Sequence, residues 1–245
     1  MPRGPRRRAA SVVAVLAAIA VTPSAPVLVP DLAGAAAAEV AELSAAARTA
    51  AAALPERWIA IGVGPAERVI EPDTRGSFAG YGVDLPVALS GQAPAQIAAL
   101  PLCALVAGWL RGQANPQARV QVRVYPAGLD SETALRRGRE LRTEIDAVAD
   151  PIGVLVVADG ANTLTQSAPG GYDPAAEAFQ ADLDHALATG DATGLTRLPD
   201  AIGGRVAYQV LAGLAPQPAA AVELARGAPY GVGYFVGTWA PGKRP

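Results

Sequence analysis

The sequence predicts a single α/β domain built on a mixed, mostly parallel sheet that helices cover on both faces. Three observations predict it. Short apolar runs alternate with longer helical patterns from end to end, the order that produces parallel strands joined by crossover helices. Three of those runs, residues 12–21, 57–63 and 151–158, show little alternation, as strands do when helices bury both of their faces. The 245 residues are 51% hydrophobic and 17% charged, enough for one sizeable core, and neither an internal repeat nor a proline-rich or charged linker divides them.

Taken in order, residues 12–21 (VVAVLAAIAV) read as the first strand because Val12, Val13, Val15, Ile19 and Val21 are β-branched. Prolines at 23, 26 and 30 end it and open a loop whose side-chain hydroxyls are Thr22 and Ser24. Arg3, Arg6, Arg7 and Arg8 make residues 1–11 a basic extension. With the apolar run and the small residues near Ser24, that extension also imitates a secretory signal, so export is the alternative to a cytoplasmic protein. The run is too short to span a bilayer as a helix, and no membrane association is expected. The domain should occupy residues 12–239, followed by a tail over 240–245.

An Ala-rich helix is predicted over 35–54, with Val40, Leu43 and Leu54 as its larger apolar residues and Pro55 as its stop. Residues 57–63 form the second strand, closed by Gly64-Pro65, and 67–71 a short edge strand. Residues 73–86 (DTRGSFAGYGVDLP) hold too much glycine for a regular element and read as a loop carrying Ser77, Phe78 and Tyr81. A helix over 95–110, kinked near Pro101, contains the single cysteine, Cys103, in an apolar pattern that makes it a small buried hydrophobe. Residues 119–125 (RVQVRVY) alternate and give a strand with one polar face.

Residues 131–148 read as an amphipathic helix through Leu135, Leu141, Ile145 and Val148. Its Arg136, Arg137, Arg139 and Arg142 are interspersed with Glu132, Glu140, Glu144 and Asp146, the pattern of a solvated, salt-bridged face. A net charge of −2 likewise supplies no footprint for nucleic acid. The buried strand 151–158 (PIGVLVVA) runs directly into the polar turn Asp159-Gly160-Ala161-Asn162-Thr163. After a loop over 166–173, a helix over 174–188 puts Phe179, Leu183 and Leu187 on one face. His185, the single histidine, falls on the other face near Asp182. Helices over 191–198 and 200–214 follow, and adjacent strands over 219–224 and 230–239 add an antiparallel portion at one end of the sheet.

Ligands of open α/β sheets bind outside the carboxyl ends of the strands. The loops 22–30, 75–81 and 159–163 should therefore converge on one cleft lined by Ser24, Ser77, Tyr81, Asp159, Asn162 and Thr163. One cysteine excludes an internal disulfide framework and any CxxC metal knuckle. Without a GxSxG elbow, and with His185 as the one available base, a Ser-His-Asp hydrolase is not supported. His185 is expected as a surface residue beside Asp182, not as a metal ligand, because no second histidine exists to share an ion.

Four segments, in order and spacing, resemble one family: TPSAPVLVPDLAG, GSFAGYGVDLP, PIGVLVVADGAN with the following YDPAAEAFQADLDHAL, and APYGVGYFVGTW. Over residues 12–239 the chain resembles the class III extradiol ring-cleavage dioxygenases in their B-subunit (LigB-like) fold, and more closely an uncharacterised, Ala-rich bacterial branch of B-subunit-like proteins. The resemblance implies ferrous iron held by two histidines and a glutamate, binding catechol oxygens and dioxygen together, with a further histidine as acid/base. Residue by residue, the ligands do not carry over. The first-loop histidine, in an HPPLL-like pattern, falls on Ser24. The second, before a DFxGF-like pattern, falls on or near Gly76. The later one falls near Asn162 or Thr163, and His185 matches no ligand of the family.

The expectation is thus a LigB-like protein without the iron ligands or another cofactor, which keeps the family cleft to bind a small molecule or a partner subunit. The alternative is an active enzyme of the superfamily, opening aromatic rings or using polar residues of the same cleft for other chemistry. Family B-type subunits pair with a smaller chain, so self-association or hetero-oligomerisation is compatible with either reading.

Overall fold

The β-branched, apolar start of the domain behaves as its composition requires. In the computed structural model, which describes residues 15–242, Leu16–Thr22 is an inner strand, β1, buried along most of its length. The basic extension 1–11, residues 12–14 of the expected first strand and the tail residues 243–245 lie outside the described residues. The remaining strands are β2 (Arg57–Gly64), β3 (Arg68–Ile70), β4 (Arg75–Ser77), β5 (Pro86–Ala88), β6 (Arg119–Pro126), β7 (Ile152–Val157), β8 (Ala220–Gly227) and β9 (Tyr234–Ala240). The helices are α1 (Pro30–Ala33), α2 (Ala41–Ala52), α3 (Leu102–Ala114), α4 (Ser131–Asp146), α5 (Ala176–Thr189), α6 (Ala192–Leu195) and α7 (Arg205–Leu214).

Seven strands form one sheet in the order β3-β6-β2-β7-β1-β9-β8, and β4 pairs with β5 as a separate hairpin. The pairings β6–β2, β2–β7 and β7–β1 are parallel, whereas β3, at one edge, and the β9–β8 pair, at the other, run antiparallel to their neighbours. The three apolar runs are therefore adjacent at the centre, β2-β7-β1, and the last two strands supply the expected antiparallel end. Side chains of these strands alternate between two helical layers. Ile19, Val21, Ile59, Ile61, Val154 and Val156 pack with α4, α5 and α7. Ala20, Trp58, Ala60, Leu155 and Val157 pack with α2 and α3. Helices on both faces are what a continuous apolar strand demands, and the predicted α/β class holds.

Several boundaries differ from the sequence reading. The expected helix over 95–110 does not enter Pro101 from the N-terminal side. α3 begins at Leu102 and runs on to Ala114, with Pro101 as its N-cap in extended geometry. A proline ring disfavours helical backbone at the residue before it, so Leu100 stays outside. The Ala98 N–H instead bonds the Arg75 carbonyl at 2.8 Å. The Gly-rich segment 73–86 is not all loop, for it contains β4 and leads into β5 through a short helical turn at Phe78–Tyr81. The Ala-rich helix is shorter than residues 35–54, the helix over 174–188 starts at Ala176, and the one over 200–214 starts at Arg205. Among the described residues no helix is long and apolar enough to cross a membrane.

Candidate functional site

β1, β7 and β2 are in parallel register, with Thr22 beside Val157 and Gly62 beside Val157 on the other side, so their carboxyl ends lie together. The Ala158 N–H bonds the Thr22 carbonyl at 2.9 Å and carries the pairing one residue past β7. The two chains then turn off the sheet side by side, and the Ser24 N–H donates to Asp159 Oδ1 at 2.7 Å across 135 residues of sequence. That is the direct contact between the first and third of the loops expected to converge.

Among the described residues, the Ser24 N–H is the one hydrogen-bond donor to the Asp159 carboxylate. Some of the residue's surface still reaches solvent, but protein closes in on the carboxyl group from nearly every side. Burial penalises the charged form and pushes its pKa up to about 6, while the Ser24 N–H pulls the other way. Two phenols feel its charge. Tyr208, fully buried on α7, donates from its hydroxyl to the Ala158 carbonyl at 2.8 Å, and its pKa is raised first by burial and then by Asp159. Tyr234, at the start of β9, is raised for the same two reasons in the same order. The Thr22 hydroxyl is buried with no partner among the described residues, as is that of Thr163. Such orphan groups are uncommon in folded proteins and mark places with hydrogen-bonding capacity to spare.

Cys103 sits in the first turn of α3 over the end of β2. A Cβ on Gly62 would lie 2.3 Å from the Cys103 Cβ, so the glycine is what lets the helix approach the strand. Burial pushes the thiol up to about 11, which leaves it protonated and unreactive at neutral pH, in keeping with a buried hydrophobe. The Tyr81 phenol is raised by its own partial burial and then by Cys103, with 45% of the residue exposed, and its ring meets that of Phe78 edge-on at 6.1 Å.

The other expected residues behave differently. Ser77 spends its hydroxyl on its own turn, donating to Asp84 at 2.6 Å and accepting the Ala79 N–H at 3.1 Å, not on Asp159. Asn162 is exposed, and its carbonyl accepts the Gly170 N–H. His185 is exposed on α5 and, with Asp182 and Phe179, borders a hollow of about 320 Å³ on the outside of the molecule.

Sequence reasoning missed a polar plug behind the Asp159 turn. The Gln180 side chain accepts the Ala161 N–H at 2.9 Å and donates to Asp184 at 2.8 Å. It fills the space where side chains on Gly160 and Gly233 would be, since a Cβ at either would lie 2.0 Å from its Oε1. Gly160 and Gly233 also bond each other's segment, from the Gly160 N–H to the Gly233 carbonyl at 2.8 Å, which ties the turn to the start of β9. The available signal was the glycine in each strand-end turn; nothing pointed to Gln180 as the residue that fills them.

The donor set does not fit a ferrous centre. Ser24 offers a hydroxyl, Gly76 no side chain, and Asn162 and Thr163 an amide and a hydroxyl, none a substitute for imidazole. Among the described residues no three His, Cys, Asp or Glu side chains stand together as a metal site requires.

No protein-family model matches the sequence, and no curated protein matches it. Among solved structures, the fold is similar to that of the uncharacterised protein JW3007 of Escherichia coli K12. The TM-score is 0.54 at 11% identity, over 91% of this chain and 99% of that one. At that identity the likeness is one of fold alone.

Proposed function

We propose that this chain is a LigB-like protein that lacks the iron ligands and binds a small molecule at the carboxyl edge of its sheet, around Asp159. The observation that carries the reading is the Ser24 N–H bond to Asp159 Oδ1. It fixes a buried carboxyl between two strand ends while leaving its second oxygen, and the Thr22 and Thr163 hydroxyls of the two strand-end segments, without donors or acceptors among the described residues. A ligand with a hydrogen-bond donor complements such a site better than an anion does, because the carboxylate already concentrates negative charge there. The LigB-like assignment rests on the four ordered segments, and the absence of an iron ligand set rests on the residue types at their positions.

A second reading is favoured by one property of Asp159. A carboxyl group with a pKa of about 6 exchanges its proton near neutral pH, as a general acid or base must. Chemistry other than iron-dependent ring opening would then run at the same place. A net charge of −2 supports a partner that is not nucleic acid. A cytoplasmic location and assembly with itself or a second chain complete the proposal.

The experiment is native mass spectrometry of gently purified protein, wild type and Asp159→Asn, followed by identification of any bound small molecule. A bound species lost in the variant supports the binding reading. Turnover of that species, also lost in the variant, moves the weight to the catalytic one. A ligand retained unchanged by Asp159→Asn contradicts both.

A further inference from the structure

We propose that the hollow between the β4–β5 hairpin and the outer face of α3 is a second binding site, which takes a small carboxylate with an apolar body on the guanidinium of Arg75. Six described arginines are buried or half-buried: Arg75, Arg111, Arg123, Arg137, Arg142 and Arg205. Five of them have acceptors. Arg111 bonds the Ala118 carbonyl, Arg123 pairs with Glu144, Arg137 with Glu67 and Glu140, Arg142 with Asp146, and Arg205 with Asp200. Arg75 has no acceptor among the described residues, and its Nε is buried without a partner there. Taking a guanidinium partly out of water without an acceptor is costly, and an incoming anion removes the cost.

The surroundings suit that anion. Arg75 lines a hollow of about 320 Å³, where the other charged residues are Arg111 and the exposed Asp31, which leaves the site net positive. Leu85, Val87 and Trp109 give it apolar walls. A carboxylate matches the planar fork of a guanidinium with two parallel hydrogen bonds, and an attached apolar group would lie against those walls. The arginine is held in place by its backbone, which pairs with Ala88 in the hairpin and accepts the Ala98 N–H at 2.8 Å. The α3 wall is open at Gly112, where a Cβ would meet no atom within 4 Å. Gly112 lies nine residues after Cys103, about 13 Å along the helix, so this hollow is separate from the carboxyl-edge site and does not depend on it.

The test is calorimetric titration of the protein at neutral pH with sodium benzoate, benzyl alcohol and inorganic phosphate as probes. Benzoate should bind saturably, and benzyl alcohol and phosphate at least about tenfold more weakly, since each lacks one of the two recognised features. Arg75→Ala should weaken benzoate by about tenfold or more. Gly112→Leu should abolish it by filling the hollow, and should keep or raise the melting temperature because leucine favours a helix over glycine. Failure of benzoate to bind, equal binding of the neutral alcohol or of phosphate, or unchanged binding in Gly112→Leu would overturn the proposal.

Discussion

Asp159 was legible as a candidate because a wholly apolar strand ends in it, and a carboxyl group at that position has nowhere to go but the edge of the sheet. Ser24 was legible for the same reason, although what it contributes is its backbone N–H, not its hydroxyl. Ser77 was equally legible as a candidate, but the fate of its hydroxyl was not, because hydroxyls one or two residues before a tight turn are claimed by the turn itself, and residue type alone does not reveal the claim. Tyr208, Tyr234 and Gln180 were out of reach: what ties them to the Asp159 turn is remote in sequence, and a tyrosine in an apolar helix or strand looks like any other core residue. The Asp159 environment has a direct consequence for stability. Its folded pKa of about 6 lies above the ordinary carboxylate value, so the folded state holds the proton more tightly than the unfolded chain does. The stabilisation from that proton is complete at low pH, below the unfolded value, and is lost as pH rises through about 6. Relative to Asp159→Asn, which keeps an oxygen to accept the Ser24 N–H but never ionises, the wild type should lose on the order of 2 kcal/mol between pH 4 and 7.5. Urea denaturation of both proteins at the two pH values measures this, and parallel pH dependences would show that Asp159 is an ordinary solvated carboxylate.

At the scale of elements, β2, β6, β7 and the start of α4 were read closely, whereas the β4–β5 hairpin, the start of β9 and several helix starts were not. Strand ends are set by local composition, prolines and apolar runs, whereas where a helix begins depends on which backbone groups find partners outside it. Pro101 illustrates the difference: read as a kink within a longer helix, it is the cap of a helix that begins at the next residue. Residues 73–86 illustrate it again, since their strand character comes from pairing with a segment beyond the loop. The amphipathic stripe of α4 was visible through Leu141 and Ile145, but its closest contact is made by a glycine. A Cβ on Gly138 would lie 2.1 Å from the Val210 carbonyl oxygen of α7, and one on Gly213 the same distance from that of Leu135. Backbone meets backbone there, and neither partner can swing aside. Gly138→Ala and Gly213→Ala should each destabilise the protein by about 1–3 kcal/mol despite the better helix propensity of alanine. Thermal unfolding reads the cost, and a variant as stable as wild type would mean that the α4–α7 contact is looser than described.

For the whole molecule, the order of apolar runs and helical patterns was enough to place β2, β7 and β1 as neighbours and to put an antiparallel pair at one end. β1 lies between β7 and β9, so a chain cut near Ser24 would lose the strand that joins the two halves of the sheet. A chain that starts at Ala25 is therefore expected to show no cooperative unfolding transition, and the mature protein to carry residues 16–22 by intact mass. A folded product beginning near residue 25 would instead support export with cleavage at that point. The proposed ligand site at the carboxyl edge requires no two-histidine, one-carboxylate iron centre, and Ser24, Gly76, Asn162 and Thr163 supply none of its imidazoles. The most direct test is the iron content of protein equilibrated anaerobically with excess ferrous iron and then desalted, for wild type and His185→Ala. Substoichiometric iron is expected in both; one ferrous ion per chain in the wild type, lost in His185→Ala, would overturn the reading of a site without iron ligands.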